Sequence, residues 1–297
     1  MIYKKLGKSP LKVSEISFGC MSLEDGTDNT NLLHKAINMG INFFDTADLY
    51  QHGKNEEMVG KALKEKRKEL IIASKVGNQW RSDGSGWDWN PRKEYILSCA
   101  EKSLKRLQTD YIDLYQLHGG TLDDPMDETI EAFEQLVQQG KIRYYGISSI
   151  RPNVIREYIK RSNIVSVMMQ YSLLDRRPEE ECLGLLQENN IGVLSRGSIA
   201  KGLLAGKPST SFLNYNQEQV QAVADAIKSI SGKTRTASQS AIRFILNHPA
   251  LTTAVVGIRT EDQLIDAVGT TNSPILSGEN IAKISSVVPS NRYDVHR

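Results

Sequence analysis

The sequence has 297 residues, of which 39% are hydrophobic and 24% are charged, so it can bury a large core. Its 37 basic and 35 acidic residues give a formal net charge of +2, which excludes recruitment of nucleic acid or an anionic membrane by overall charge. The polar start and the lack of any apolar stretch of about 18 residues predict no signal peptide and no membrane span. Three widely separated cysteines predict free thiols in the cytoplasm, with no disulfide or zinc site.

Short apolar runs divide the chain into predicted strands. Residues 2–14 predict a small hairpin that turns between Gly7 and Pro10 and closes the bottom of the fold. Eight apolar or β-branched runs follow, at residues 15–21, 41–47, 70–76, 112–118, 142–148, 165–171, 191–196 and 252–258. Between them, apolar residues recur at spacings of three and four, which is typical of helices with one buried face.

The alternation of strands and helices predicts the fold class. Strands buried on both faces and separated by helices indicate a parallel sheet, and eight repeats are the number in a (β/α)8 barrel. The alternative is an open doubly wound sheet, which would normally carry a GxGxxG turn, and this sequence has none. We therefore predict an α/β TIM barrel with an N-terminal β-hairpin and a C-terminal helical tail. No linker interrupts residues 1–297, so we expect a single domain.

Polar side chains end three neighbouring predicted strands, where a barrel gathers its reacting groups. Asp45 ends the second strand, Lys75 the third and His118 the fourth, and Tyr50 follows five residues after Asp45. Alone, each could be a turn cap, a solvated head or a packing residue. Together they favour proton delivery to an oxygen, because the Lys75 ammonium would lower the pKa of the Tyr50 phenol. Asp45 would pair with Lys75, while His118 would orient the substrate oxygen or assist proton transfer.

A metal-dependent hydrolase could also use such a barrel mouth. The sequence has no HxH or HExxH motif, and its five histidines are scattered. We therefore expect no metal.

The sequence resembles the aldo-keto reductase family, and within it the bacterial branch related to potassium-channel β-subunits. The resemblance covers nearly the whole chain, through the blocks LKVSEISFGCM, INFFDTADLYQHGKNEEMVGKAL, LIIASKV, YIDLYQLH, GKIRYYGISS, MMQYSLLDR, GLLAGK and VVGIRTEDQL. The family's catalytic tetrad falls on Asp45, Tyr50, Lys75 and His118. The resemblance implies an NADPH-dependent oxidoreductase that reduces an aldehyde or ketone to an alcohol by hydride transfer, with Tyr50 as proton donor. The alternative that it allows is an NADPH-binding regulatory protein with slow or incidental reductase activity.

The resemblance also implies a set of cofactor-binding residues. Ser148 and Gln170 would hydrogen-bond the nicotinamide carboxamide, and Arg259 with Thr260 would hold the adenosine 2′-phosphate at the start of a helix. The family's late Arg is Gln263 here, and its Asn is Ala267, so the preference for NADPH over NADH is expected to be modest. The full set is Gly19, Cys20, Met21, Asp45, Ser148, Ser149, Gln170, Arg196, Gly197, Ser198, Ile199, Lys201, Gly202, Gly257, Arg259, Thr260 and Gln263.

Arg196 departs from the pattern of similar proteins, which commonly have an aromatic residue there that stacks on the nicotinamide. An arginine plane can also stack on a ring, and its charge would disfavour the cationic oxidised cofactor. The alternative is that Arg196 binds the pyrophosphate or a loop carboxylate.

Two segments outside the repeat are candidates for covering the mouth of the barrel. Residues 78–90 contain all three tryptophans, which predict either a pocket wall for a small carbonyl substrate or packing of the loop onto the surface. Residues 200–235 are rich in Lys, Ser and Gly and are expected to cover the top face. The tail at 290–297 is a further candidate for the pocket. No pattern indicates an oligomeric state.

Overall fold

The computed structural model describes residues 1–297 and contains a closed barrel of eight parallel strands. The strands of the chain are β1 (Tyr3–Lys5), β2 (Lys12–Ser14), β3 (Ile16–Gly19), β4 (Phe43–Asp45), β5 (Ile71–Val76), β6 (Asn78–Trp80), β7 (Trp87–Trp89), β8 (Ile112–Leu117), β9 (Ile142–Ser148), β10 (Ser166–Gln170), β11 (Gly192–Arg196) and β12 (Leu251–Gly257). The barrel runs from β3 through β4, β5, β8, β9, β10 and β11 to β12, which pairs with β3. The predicted TIM barrel is confirmed, and the open sheet is excluded.

Helices pack around the barrel, and all but the last two connect its strands. They are α1 (Thr30–Asn38), α2 (Lys54–Leu63), α3 (Lys93–Leu107), α4 (Met126–Gln138), α5 (Pro152–Arg161), α6 (Cys182–Glu188), α7 (Gln217–Ile230), α8 (Ala237–Leu246), α9 (Glu261–Gly269) and α10 (Gly278–Ser285). None of these helices has the length and apolar character needed to cross a membrane. The last of them, α10, is followed by a C-terminal segment without helix or strand.

The N-terminal hairpin closes the bottom of the barrel, as predicted. Strands β1 and β2 pair antiparallel, and Leu6, which directly follows β1, and Val13 of β2 belong to the apolar cluster that fills the barrel interior. The turn lies directly on the start of the barrel, because a Cβ at Gly7 would stand 2.3 Å from the carbonyl oxygen of Val165. With φ at +52°, this position suits glycine for both reasons.

Side-chain alternation along the strands determines which residues face inward at the carboxyl end of the barrel. The interior cluster includes Phe43 of β4 and Ile71 and Ala73 of β5. Successive strand residues point to opposite faces, so Asp45 and Lys75, two residues further along, also face inward. By the same alternation, the last residues of β10 and β11 also face inward. The polar residues at these strand ends therefore share one rim.

Residues 200–235 cover the top face only in part. Residues Ala200–Ala205 form a short 3₁₀ segment at the mouth, but α7 packs on the outside of the barrel against α8 and α10. The expectation that residues 200–235 cover the top face is therefore met by only part of the segment, because residues 217–230 form α7, which was not recognised. Its capping box was a usable signal, since Asn216 accepts from the backbone of Gln219 and the Gln219 side chain bonds back to Asn216.

Candidate active site

The polar ends of β4, β5 and β8 meet at one mouth of the barrel. The Lys75 ammonium donates to the Asp45 carboxylate at 2.7 Å and to the Tyr50 phenol oxygen at 3.1 Å. It also donates to the backbone carbonyl of Thr46 at 2.8 Å, so its three protons each have an acceptor. The ring of His118 stands at 82° to the Tyr50 ring, with 6.0 Å between centroids. The structure thus brings together the four side chains that the sequence singled out.

Burial controls the ionisation of Lys75 and Tyr50. Burial alone would lower the pKa of Lys75, but Asp45 and Tyr50 raise it above its usual value, so the group remains an ammonium. Burial of the Tyr50 hydroxyl raises its pKa, and this outweighs the opposite effect of Lys75. The expected lowering of the Tyr50 pKa by Lys75 is present, but burial outweighs it, and the sequence does not show how far the hydroxyl is removed from water.

His118 is a neutral imidazole at neutral pH. Burial, together with the positive charges of Lys75 and Arg196, lowers its pKa to about 3. Its Nδ1 atom is buried and has no hydrogen-bond partner. A neutral ring donates and accepts hydrogen bonds but is not an acid. The surroundings of His118 therefore favour an orienting role over proton transfer.

A cleft of about 660 Å³ opens beside Asp45 and Tyr50. Most of the expected cofactor contacts line it: Gly19, Met21, Asp45, Arg196, Gly197, Ser198, Ile199, Lys201, Gly202, Gly257, Arg259 and Gln263. The cleft extends from Asp45 and Tyr50 to residues at the start of α9. The arrangement can hold an elongated ligand with its reacting end beside Tyr50.

The other five expected contacts are not among the residues that line the cleft: Cys20, Ser148, Ser149, Gln170 and Thr260. Burial raises the pKa of the Cys20 thiol well above its usual value, so it is protonated and poorly reactive. Thr260 caps α9 by accepting a hydrogen bond from the backbone of Gln263 at 3.3 Å. The Gln263 side chain turns back and accepts a hydrogen bond from the Arg259 backbone N–H at 2.9 Å. The Thr260 hydroxyl and the Arg259 backbone N–H are therefore already engaged at the start of the helix.

Several lining residues were missed by sequence reasoning. They include Ser22, Met168, Ala205, Lys207, Ser238, Val255, Val256, Asp262 and Asp266. Asp262 and Asp266 are four residues apart on α9 and so lie on the same face as Gln263 and Ala267. That spacing was the available signal, because helical neighbours of an expected contact face the same ligand. The α9 end of the cleft thus carries two carboxylates in addition to Arg259.

Arg196 lines the cleft and contacts Gln170. Its Nη1 donates to the Gln170 Oε1 at 3.0 Å, which is neither a contact to a loop carboxylate nor a stack on a protein ring. Its charge acts on Asp45, Tyr50 and His118. The proposed contact of Arg196 with a loop carboxylate is not observed, whereas stacking on the nicotinamide and binding of the pyrophosphate both concern a bound cofactor and remain predictions.

The three tryptophans of residues 78–90 occupy different surroundings on the β6–β7 hairpin. Trp80 stacks on His52 with 3.7 Å between ring centroids and donates to the Leu49 carbonyl at 3.2 Å. Trp89 donates to Asp124 at 2.9 Å, whereas Trp87 is 47% exposed. None of the three lines the cleft. Packing of the loop onto the surface, one of the two interpretations of this segment, therefore describes Trp80 and Trp89, and no tryptophan belongs to the wall of this cleft.

Comparison with known proteins decides the family. A model of the Aldo/keto reductase family matches residues 15–289. The chain belongs to the aldo-keto reductase family. It is therefore an enzyme of the oxidoreductase class, and the predicted family is confirmed.

Similar proteins support the same assignment over the full length of this aldo-keto reductase. The uncharacterized oxidoreductase YqkF of Bacillus subtilis (strain 168) is 47% identical, with 99% of each chain covered. The solved holo form of the aldo-keto reductase AKR11C1 from Bacillus halodurans is also 47% identical, with a TM-score of 0.94, and 100% of this chain and 99% of that chain are covered. A probable voltage-gated potassium channel subunit beta of Oryza sativa subsp. japonica is 28% identical, covering 98% of this chain and 97% of its own length. The predicted relation to the channel-subunit branch is confirmed.

A buried acidic cluster lies behind the tetrad of this aldo-keto reductase. Glu56 of α2 is fully buried and accepts hydrogen bonds from Ser74, from Ser103 at 3.2 Å and from Arg106 at 2.7 Å. Asp48 is 8% exposed, and its Oδ1 has no partner. Burial, and then repulsion by Glu56, raise the pKa of Asp48 to about 8. The sequence does not show that Glu56 lies against Asp48.

Asp48 should make the protein less stable as the pH rises. Between pH 4 and 8 the folded protein holds a proton on Asp48 that the unfolded chain has released, so the free energy of unfolding falls across this window. At about 1.4 kcal/mol per pKa unit, the loss from pH 5 to 9 is about 4 kcal/mol. Asp48→Asn, which resembles the protonated carboxyl, should remove this slope in urea unfolding measured at both pH values. Glu57→Gln, the same charge change at an exposed neighbour, should keep it, and equal slopes in all three proteins would contradict the assignment.

Proposed function

We propose that this chain is an NADPH-dependent reductase that converts an aldehyde or ketone into an alcohol, with Tyr50 as the proton donor. The observation that carries the proposal is the Lys75 ammonium, placed 3.1 Å from the Tyr50 phenol and 2.7 Å from Asp45 at the floor of the cleft. Lys75 donates to the phenol oxygen, which leaves the Tyr50 proton free to point into the cleft. A site built this way suits transfer of a proton to a carbonyl oxygen.

The cleft fits a dinucleotide because it lets a ligand approach the backbone closely. Gly197 and Gly202 have φ values of +73° and +97°, and a Cβ at Gly197 would stand 3.3 Å from the Gln170 side chain. A Cβ at Gly257 would stand 2.6 Å from the Ser22 hydroxyl, so a larger residue would narrow the cleft. Three cations line the same surface and would neutralise phosphates: Lys201, Lys207 and Arg259.

The chain's own residues would direct the reaction at the mouth. NADPH, when bound, supplies the hydride to the carbonyl carbon. The Tyr50 hydroxyl donates its proton to the carbonyl oxygen, while the Lys75 ammonium stabilises the phenolate that remains. Asp45 keeps Lys75 charged and in place, because a buried ammonium needs a carboxylate partner. Neutral His118 holds the carbonyl oxygen toward Tyr50 by a hydrogen bond.

The preference for NADPH over NADH is proposed to be modest. Arg259 and the backbone N–H groups at the start of α9 suit the 2′-phosphate. Asp262 and Asp266 line the same end, and carboxylates there favour a ribose hydroxyl over a phosphate. Because Arg259 attracts the 2′-phosphate and the two carboxylates repel it, the difference in affinity between NADPH and NADH is small.

The direct test is NADPH oxidation with a panel of carbonyl compounds that includes methylglyoxal and nitrobenzaldehyde. We expect turnover with at least one class, a lower rate with NADH, and no change after chelation of metals. NADPH binding without turnover above the solvent background would instead favour the regulatory alternative, which the similarity to potassium-channel β-subunits supports.

Arg196 should favour reduced over oxidised cofactor. Its guanidinium lies at the reacting end of the cleft, where a positive charge opposes the cationic nicotinamide by about 1 kcal/mol in a solvated setting. In Arg196→Tyr, the ratio of the Kd for NADP+ to the Kd for NADPH should fall about fivefold, as measured by fluorescence titration. Arg196→Lys keeps the charge and should keep the ratio. An unchanged ratio in Arg196→Tyr would refute this role.

A further inference from the structure

Gln170 at the end of β10 has its side-chain amide held from both sides. Its Nε2 donates to the Asp175 Oδ2 at 2.9 Å, and its Oε1 accepts from the Arg196 Nη1 at 3.0 Å. A carboxylate only accepts hydrogen bonds and a guanidinium only donates them. The two neighbours therefore fix which end of the Gln170 amide faces which way, and the oxygen is the end that faces Arg196 in the cleft.

Asp175 itself is fixed by the segment that follows β10. It is fully buried, and Arg177 donates to Oδ1 and Oδ2 at 2.7 Å each. Its backbone exchanges hydrogen bonds with Ser172 at 3.0 and 3.1 Å, which closes the loop between them. Both carboxylate oxygens thus have donors, and the side chain has no freedom to release Gln170 without breaking the Arg177 pair.

Arg177 connects this arrangement to the C-terminal segment. Its guanidinium lies over the Tyr293 ring, 5.1 Å from the centroid, and Tyr293 is 6% exposed. Tyr293 is held in turn by Arg297, which donates to the Tyr293 carbonyl at 2.8 Å and pairs with Glu180. The contacts run without a gap from Tyr293 to Gln170 at the mouth.

We propose that Asp175 is a positioning residue for Gln170, and that Arg177 on Tyr293 holds it in place. The Gln170 oxygen is thereby presented as an acceptor to the amide N–H of the nicotinamide carboxamide. This inference rests on the proposed function, in which Gln170 meets that carboxamide. The Asp175 side chain touches neither cofactor nor substrate, so its effect is confined to the nicotinamide end of the cleft.

The test compares NADPH with 2′-phospho-ADP-ribose, which lacks the nicotinamide. In Asp175→Asn, the neutral amide can donate a hydrogen bond to Gln170 and so reverse the orientation of the Gln170 side-chain amide. The Kd for NADPH should therefore rise about tenfold. The Kd for the fragment should stay within about twofold of wild type. In a Gln170→Ala background, Asp175→Asn should change neither Kd further. A second variant, Tyr293→Leu, should weaken NADPH about threefold and leave the fragment unchanged.

The outcomes separate this inference from the proposed function. Three results would overturn the positioning role. The first is an equal loss of affinity for NADPH and for the fragment, and the second is an unchanged Kd for NADPH in either variant. The third is an effect of Asp175→Asn that is as large in the Gln170→Ala background as in the wild type. If Gln170→Ala itself binds NADPH like wild type, the assignment of the nicotinamide subsite fails instead. Should Asp175→Asn not fold, Tyr293→Leu and Gln170→Ala provide the same comparison.

Discussion

Tyr50→Phe should lower kcat for carbonyl reduction by about 10³-fold or more while leaving the Kd for NADPH within about twofold of wild type. The change removes one oxygen, and with it the proton that would go to the carbonyl. The ring stays beside Lys75, whose ammonium lies 4.8 Å from the ring centroid. Because burial keeps the pKa of Tyr50 above its usual value, the phenol is fully protonated throughout the neutral range. Stopped-flow reduction and fluorescence titration of NADPH measure the two quantities.

Tyr115→Phe is the matched control for this substitution. Tyr115 lies on β8, its hydroxyl is buried without a hydrogen-bond partner, and its ring packs against Phe133 of α4. The same atom is lost, but outside the cleft, so kcat should stay near the wild-type value. Substantial turnover by Tyr50→Phe would show that another group delivers the proton, and equal losses in both variants would indicate a general structural effect.

The barrel and the meeting of the tetrad were predictable because both follow from local pattern. Each predicted barrel strand lies within two residues of the observed one at each end. Once a parallel barrel is recognised, its geometry places the last residues of neighbouring strands at one mouth. Asp45, Lys75 and His118 could therefore be brought together before any contact was known. Tyr50 needed the further assumption that a five-residue loop folds back over the mouth.

What could not be predicted depends on depth and on contacts between distant segments. The pKa directions of Tyr50 and Asp48 are set by burial, and in Asp48 also by Glu56, which lies on another element. The hydrogen bond between Asp175 and Gln170 forms because the chain turns back within five residues. The contact between Tyr293 and Arg177 joins residues that are more than a hundred positions apart in the sequence. Strand and helix periodicity contains no information about such contacts.

Lys75→Met should abolish reduction and also destabilise the fold. Asp45 is 4% exposed, and its Oδ1 already lacks a partner, so removal of Lys75 leaves a buried carboxylate without its cation. Breaking a buried pair in this way costs about 3–5 kcal/mol in free energy of unfolding. Burial without the ammonium raises the pKa of Asp45 further, so the deficit should be largest at pH 8 and should shrink as the pH falls and the carboxyl takes up a proton. Urea unfolding at pH 5 and pH 8 measures this difference.

The double variant Lys75→Met with Asp45→Asn separates stability from chemistry. The second change removes the orphaned charge, so about half or more of the lost stability should return, and its dependence on pH should disappear. Reduction should remain absent, because the phenolate that Tyr50 would leave behind still has no ammonium beside it. Additive losses in the double variant would mean that Lys75 and Asp45 do not act as a pair. Recovered turnover would mean that the cation is not needed when Tyr50 gives up its proton.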